Sequence, residues 1–137
     1  MANLRKILLV DDDDDLREAL SEQLVMTEDF DVFEAATGQE GMEKAKAAHY
    51  DLVILDVEMP HLTGPEMAYR MFLHDAGLEN VPVVLVSGAL GLTEIAERAG
   101  IPYVLAKPFD LPVFLALVER ALSERRPPAP HHGAPRP

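Results

Sequence analysis

Asp51-Leu52-Val53-Ile54-Leu55-Asp56, followed by Val57-Glu58-Met59-Pro60, is the stretch that decides the fold. Residues Leu52 to Leu55 make a short, unbroken apolar run, half of it β-branched, which reads as a strand buried on both faces of a sheet. Asp56 closes the run. An aspartate that opens a turn after a strand is common and by itself says little. In an open α/β sheet, however, the carboxyl edge of the strands is where ligands bind.

Three further apolar runs end in the same manner. Ile7-Leu8-Leu9-Val10 leads into Asp11 and Asp12, Val83-Val84-Leu85-Val86 into Ser87 and Gly88, and Tyr103-Val104-Leu105-Ala106 into Lys107 and Pro108. As parallel strands, these runs bring Asp11, Asp12, Asp56, Ser87 and Lys107 to one edge of one sheet. Clustered carboxylates raise one another's pKa and cannot all stay ionised without a counter-charge. A hard divalent cation supplies that charge, and Mg²⁺ prefers one or two carboxylates, several waters and a phosphate oxygen. A hydroxyl and an ammonium opposite the acids suit a phosphoryl group. The set describes a phosphoryl-transfer site.

With these residues in place, residues 5 to 124 resemble a response-regulator receiver domain (CheY-like), the phosphoacceptor half of two-component signal transduction. The resemblance rests on Leu8-Leu9-Val10-Asp11-Asp12, on Asp56-Val57-Glu58-Met59-Pro60 with Gly64 and Glu66 beyond it, on Val86-Ser87-Gly88, and on Lys107-Pro108-Phe109. It implies a flavodoxin-like (βα)5 three-layer sandwich with a parallel five-stranded sheet of order 2-1-3-4-5. It implies that Asp56 accepts a phosphoryl group from a histidine kinase or phosphotransfer protein, with Ser87 and Lys107 assisting. Mg²⁺ would be held by Asp11, Asp12, Asp56 and the Glu58 backbone carbonyl, Asp12 most directly and Asp11 partly through water. Asp13 falls where the family often carries a third acid. A cis Lys107–Pro108 bond is also implied, as is control of the aspartyl-phosphate lifetime by Glu58 and Ala89.

One departure from the family stands out. Receivers commonly carry an aromatic switch three residues before the site lysine, a position held here by Val104, with Tyr103 one earlier. Side chains alternate along a strand, so Tyr103 and Val104 are expected on opposite faces, and coupling to the surface is expected to work without the aromatic. The downstream protein is expected on the face made by the fourth helix, fifth strand and fifth helix, and a homodimer is allowed. Two rival readings exist. A Mg²⁺-dependent phosphohydrolase would also use an aspartyl phosphate, but such families place a second aspartate two residues after the nucleophile, where this chain has Glu58. A receiver-like interaction module that is never phosphorylated is disfavoured by the five site residues.

Composition agrees with one domain. The chain has 137 residues, 48% of them hydrophobic, which is enough for a single core. Its net charge of −12 argues against direct nucleic-acid binding. It has no cysteine, which excludes a disulfide framework and a thiolate metal site. No signal peptide or membrane span is visible, and a cytoplasmic location is expected.

The rest of the chain supplies alternating elements. A first helix over Asp14–Met26 carries Leu16, Leu20 and Leu24 on one face, and a strand follows at Phe30–Ala35. Thr37-Gly38-Gln39-Glu40 is a capping box opening a second helix that ends near Ala48. Gly64 and Pro65 open a third helix whose Met67, Met71 and Phe72 face the core. The fourth helix lies near Leu92–Ala99, closed by Gly100, and is expected to be the most mobile element. Asp110 is expected to cap the fifth, whose inner face includes Leu111, Phe114, Leu117, Val118, Ala121 and Leu122. His49 reads as a solvated surface residue, and His61, which borders the site, as a loop residue rather than a catalyst. Residues 1–125 form the receiver, and residues 126–137 form a Pro-rich, disordered C-terminal tail. No output domain is expected within the residues after the fifth helix, and the chain reads as either a stand-alone regulator or a receiver cut from a larger protein.

Overall fold

The computed structural model describes residues 4–27, 29–56, 80–88 and 91–129. The expected third helix, the Val57–Thr63 loop, the Glu58 carbonyl and Ala89 lie outside the described residues. The described elements, in chain order, are β1 (Arg5–Val10), α1 (Asp14–Met26), β2 (Phe30–Ala35), α2 (Gly38–Ala47), β3 (Leu52–Leu55), β4 (Val83–Ser87), α3 (Leu92–Ala99), β5 (Tyr103–Ala106) and α4 (Leu111–Glu124). The helices expected fourth and fifth are thus α3 and α4 here.

The five strands form one sheet of order β2-β1-β3-β4-β5, with every neighbouring pair parallel. The order follows from the apolar content of the strands. Residues 7–10, 52–55 and 83–86 are all buried, so β1, β3 and β4 need cover on both faces and take central places. Side-chain alternation splits the core in two. Ile7, Leu9, Leu52, Ile54, Val84, Val86 and Tyr103 face a layer containing Leu20 and Leu24 of α1 and Phe114, Val118 and Leu122 of α4. Leu8, Val10, Val53, Leu55, Val83 and Leu85 face Ala45 of α2 and Leu92 and Ala96 of α3. Tyr103 belongs to the first layer and Val104 packs against the second, as alternation requires.

Local signals decide the helix ends. Asp13, whose role the sequence left open, is the N-cap of α1, its carboxylate accepting the Leu16 N–H. Asp14 and Asp15 occupy the first turn, where the helix dipole favours acids. Thr37 Oγ1 accepts the Glu40 N–H at 3.0 Å, as the capping box predicts. The return bond is displaced by one residue: Glu40 Oε1 accepts from the Ala36 N–H rather than from Thr37. Gly100 ends α3 at φ 63°, a left-handed conformation that glycine adopts without a Cβ penalty.

Asp110 stands at the N-cap of α4, but its side chain makes no cap bond; its carbonyl accepts the Val113 and Phe114 N–H groups instead. The expected tail is described as far as Ala129. Over those residues the Arg126 N–H donates to Tyr103 Oη at 3.3 Å and the Ala129 N–H to the Gly100 carbonyl at 3.1 Å.

Candidate functional site

The parallel ladder continues one residue past the strands, and this places the polar groups. Asp11 N–H donates to the Ala35 carbonyl, Asp56 N–H to the Val10 carbonyl, and Lys107 N–H to the Ser87 carbonyl, each at 3.0–3.1 Å. The residue after each apolar run is therefore locked in register at the carboxyl edge. Asp11, Asp56 and Ser87 are among the few polar residues buried in the described chain. The Lys107–Pro108 bond is cis.

Within this frame Lys107 Nζ lies 2.9 Å from Asp11 Oδ2 and 3.0 Å from Asp56 Oδ2. One ammonium thus bridges two carboxylates that expose almost nothing to water. Carboxylate oxygens of Asp11, Asp12 and Asp56 all lie within 4.8 Å of one another, with Asp12 exposed and the other two buried. Burial pushes the Asp11 carboxyl above its ordinary value; hydrogen bonds from the Asp13 N–H and Lys107 pull it down, and the Asp56 charge adds to the rise. Burial also pulls the Lys107 ammonium down, but its bonds to Asp11 and Asp56 outweigh that and hold it above its usual value.

Three carboxylates converge here, and the lysine offsets only part of their charge. The donor set consists of hard oxygens, one carboxylate being open to solvent, which fits Mg²⁺ with retained waters. Every described site residue expected from sequence is at this edge: Asp11, Asp12 and Asp56 as the acid group, Lys107 in contact with it, and Ser87 buried at the adjoining strand end. His49 is exposed just beyond the end of α2 and is not a member of the acid group.

Arg17 is a residue the sequence reading missed. Its Nη1 donates to the Asp11 main-chain carbonyl at 2.8 Å, its Nε lies 3.1 Å from Glu34 Oε1, and its Nη2 lies 2.8 Å from Asp14 Oδ1. Only 11% of its side chain is exposed. The available signal was a single base within an otherwise acidic stretch, three residues after Asp14.

Comparison with known proteins agrees with this geometry. Residues 7–119 match the family model described as the response regulator receiver domain. The chain belongs to that family. Among curated relatives of this receiver, protein Rrf1 of Nitratidesulfovibrio vulgaris is 35% identical over 86% of this chain and 83% of its own. The response regulator ArlR of Staphylococcus aureus is 29% identical over 90% of this chain, which spans only 55% of ArlR. Among solved structures, a CheY-like receiver from Methanospirillum hungatei superposes with a TM-score of 0.78 at 23% identity, covering 90% of this chain and 97% of that one. The response regulator TrrA of Thermotoga maritima, solved with Mg²⁺-BeF, gives a TM-score of 0.72 at 25% identity, covering 85% of this chain and 98% of its own. No helix among the described residues is long and apolar enough to cross a membrane.

Proposed function

We propose that this receiver accepts a phosphoryl group on Asp56 from the phosphohistidine of a partner kinase or phosphotransfer protein, in a Mg²⁺-dependent reaction in the cytoplasm. The observation that carries the reading is the Lys107 ammonium held on Asp11 and Asp56 together, beside the exposed third acid Asp12. A phosphohistidine is a good donor because the imidazole nitrogen leaves with the electron pair of the N–P bond as an Asp56 oxygen forms the new O–P bond. Such transfer depends mainly on positioning and charge neutralisation.

Each residue then has a defined task. Asp56 is the nucleophile, held by its N–H bond to Val10. Asp11, Asp12, Asp56 and the Glu58 carbonyl would hold Mg²⁺, which when bound neutralises charge on the transferring group. Lys107 stands 3.0 Å from Asp56 before transfer and passes to a phosphoryl oxygen after it. Ser87 donates its hydroxyl to another phosphoryl oxygen. The added charge of about −1.5 to −2 draws the Ser87 end of β4 inward. That movement shifts the population of the α3–β5–α4 face, which docks a downstream protein.

TrrA's complex with Mg²⁺-BeF supports the reading, as does the response-regulator name of ArlR. Residues 1–125 form the functional unit in this proposal, and residues 126–137 a tail outside the site. Mass spectrometry after incubation with acetyl phosphate and Mg²⁺ tests it. One phosphoryl group on Asp56, lost in Asp56→Asn and in EDTA, is the expected result. Undiminished labelling in either control overturns it.

A further inference from the structure

We infer that Arg17 is a positioning residue for the metal-binding acids, acting through the main chain of Asp11. The inference deepens the reading of Asp11, Asp12 and Asp56 as a Mg²⁺ site and rests on it.

The three oxygens of Asp11 all have partners. Oδ1 accepts the Asp13 N–H at 2.9 Å, Oδ2 faces Lys107, and the main-chain carbonyl accepts from Arg17 Nη1 at 2.8 Å. Asp13 and Lys107 hold the carboxylate. Among the described residues Arg17 holds the carbonyl, and that carbonyl fixes the plane of the peptide joining Asp11 to Asp12. The orientation of the peptide decides where the exposed Asp12 carboxylate starts from.

Arg17 can set the plane because it is itself fixed. Its guanidinium is planar and presents a rigid fork of donors, so three partners leave it one geometry. Those partners come from three places: the Asp11 carbonyl after β1, Asp14 in the first turn of α1, and Glu34 near the end of β2. Glu34 is anchored in turn, since it pairs with Leu9 in the ladder and its carbonyl accepts from Lys44. The arginine also adds a positive charge behind the acids without taking one of the carboxylate oxygens of Asp11, Asp12 or Asp56.

The experiment measures Mg²⁺ affinity by calorimetry without a phosphodonor, alongside acetyl phosphate labelling across a Mg²⁺ series. Arg17→Gln should raise the Mg²⁺ dissociation constant at least fivefold while the labelling rate at saturating Mg²⁺ stays within twofold. Arg17→Lys, which restores the charge but not the fork, should recover part of the affinity. Glu34→Ala should weaken binding two- to threefold, and the Arg17→Gln/Glu34→Ala pair should be no worse than Arg17→Gln alone. An affinity within twofold of the parent in folded Arg17→Gln overturns the inference. So does a saturated rate that falls in step with affinity, which would mark general damage. Should Arg17→Gln not fold, unchanged affinity in Glu34→Ala overturns it equally. A parent chain that binds no Mg²⁺ overturns the metal-site reading itself, and this inference with it.

Discussion

Lys107 Nζ lies 3.0 Å from Asp56 Oδ2 although the two residues are 51 positions apart, and the same nitrogen lies 2.9 Å from Asp11 Oδ2. With 21% of its side chain exposed against 2–3% for the acids, the lysine is the wetter member of the group. Removing it takes the shared ammonium away from two buried carboxylates. Lys107→Met, of similar length, should therefore cost about 1–2 kcal/mol of stability without Mg²⁺, less than a fully buried pair would because water reaches the lysine. Urea unfolding with and without Mg²⁺ checks this, and the deficit should narrow when Mg²⁺ is added. Labelling by acetyl phosphate should slow at least tenfold.

Mg²⁺ should itself stabilise the receiver. A ligand that binds only the folded state at ten times its dissociation constant contributes about 1.4 kcal/mol, or roughly 4–7 °C in a domain of this size. Thermal unfolding in a Mg²⁺ series should show this rise. Asp12→Asn should remove most of it, because Asp12 is the exposed acid of the group. A full shift in Asp12→Asn would place the ion elsewhere.

The sheet and its acidic edge were legible because β1, β3 and β4 are continuous apolar runs, each followed by a polar residue that the ladder then fixes. Periodicity also located α1 and α4, flanking glycines bounded α3, and strand alternation put Tyr103 and Val104 on opposite faces. Long-range pairing was not legible. Arg17 is half-buried and bonded to Glu34, 17 residues away, and its place in an acidic run does not announce that partner. Tyr103 finds its partners 21 and 23 residues on, at Glu124 and Arg126. Asp110 is a favoured cap residue by type, yet its main chain does the capping. In each case tertiary geometry selects among bonds that local sequence leaves equally open.

Tyr103 gives a pH prediction. Its ring is buried, its hydroxyl donates to Glu124 Oε1 at 3.0 Å and accepts the Arg126 N–H, and Arg120 lies 5.4 Å over the ring. Burial pushes its phenol above the ordinary value; the Arg126 N–H opposes this and Glu124 adds to it. A raised folded-state pKa gives stability that is complete below the unfolded value, near 10, and is lost as pH rises through the folded one. Tyr103→Phe should cost about 1 kcal/mol at pH 7 for the lost hydrogen bonds. Above pH 10 the gap between variant and parent should shrink. Tyr50 and Lys107 also titrate there, but they do so in both chains and cancel from the difference. A gap constant from pH 7 to 11 would show that Tyr103 ionises as easily folded as unfolded.

Gly100 tests whether the tail lies where its first residues are seen. Two separate features require glycine there. Its φ of 63° is left-handed, which costs about 1–2 kcal/mol for a residue with a Cβ. In addition, a Cβ at Gly100 would run into the main-chain carbonyl of Ala129, whose N–H bonds to the Gly100 carbonyl. The conformational cost belongs to the turn and is present in any chain. The steric cost exists only while residues 126–129 lie against the end of α3. Gly100→Ala should thus be more costly in the full chain than in a chain ending at Arg125, by about 0.5–1 kcal/mol, the net worth of the backbone hydrogen bond it would displace. Truncation alone should cost less than about 1 kcal/mol, since the described tail residues 126–129 bring two hydrogen bonds donated by main-chain N–H groups, which water can replace. Urea unfolding of the four chains closes the cycle. Equal costs for Gly100→Ala in both lengths would mean that the tail leaves Gly100 in solution and that residues 126–137 add nothing to the fold.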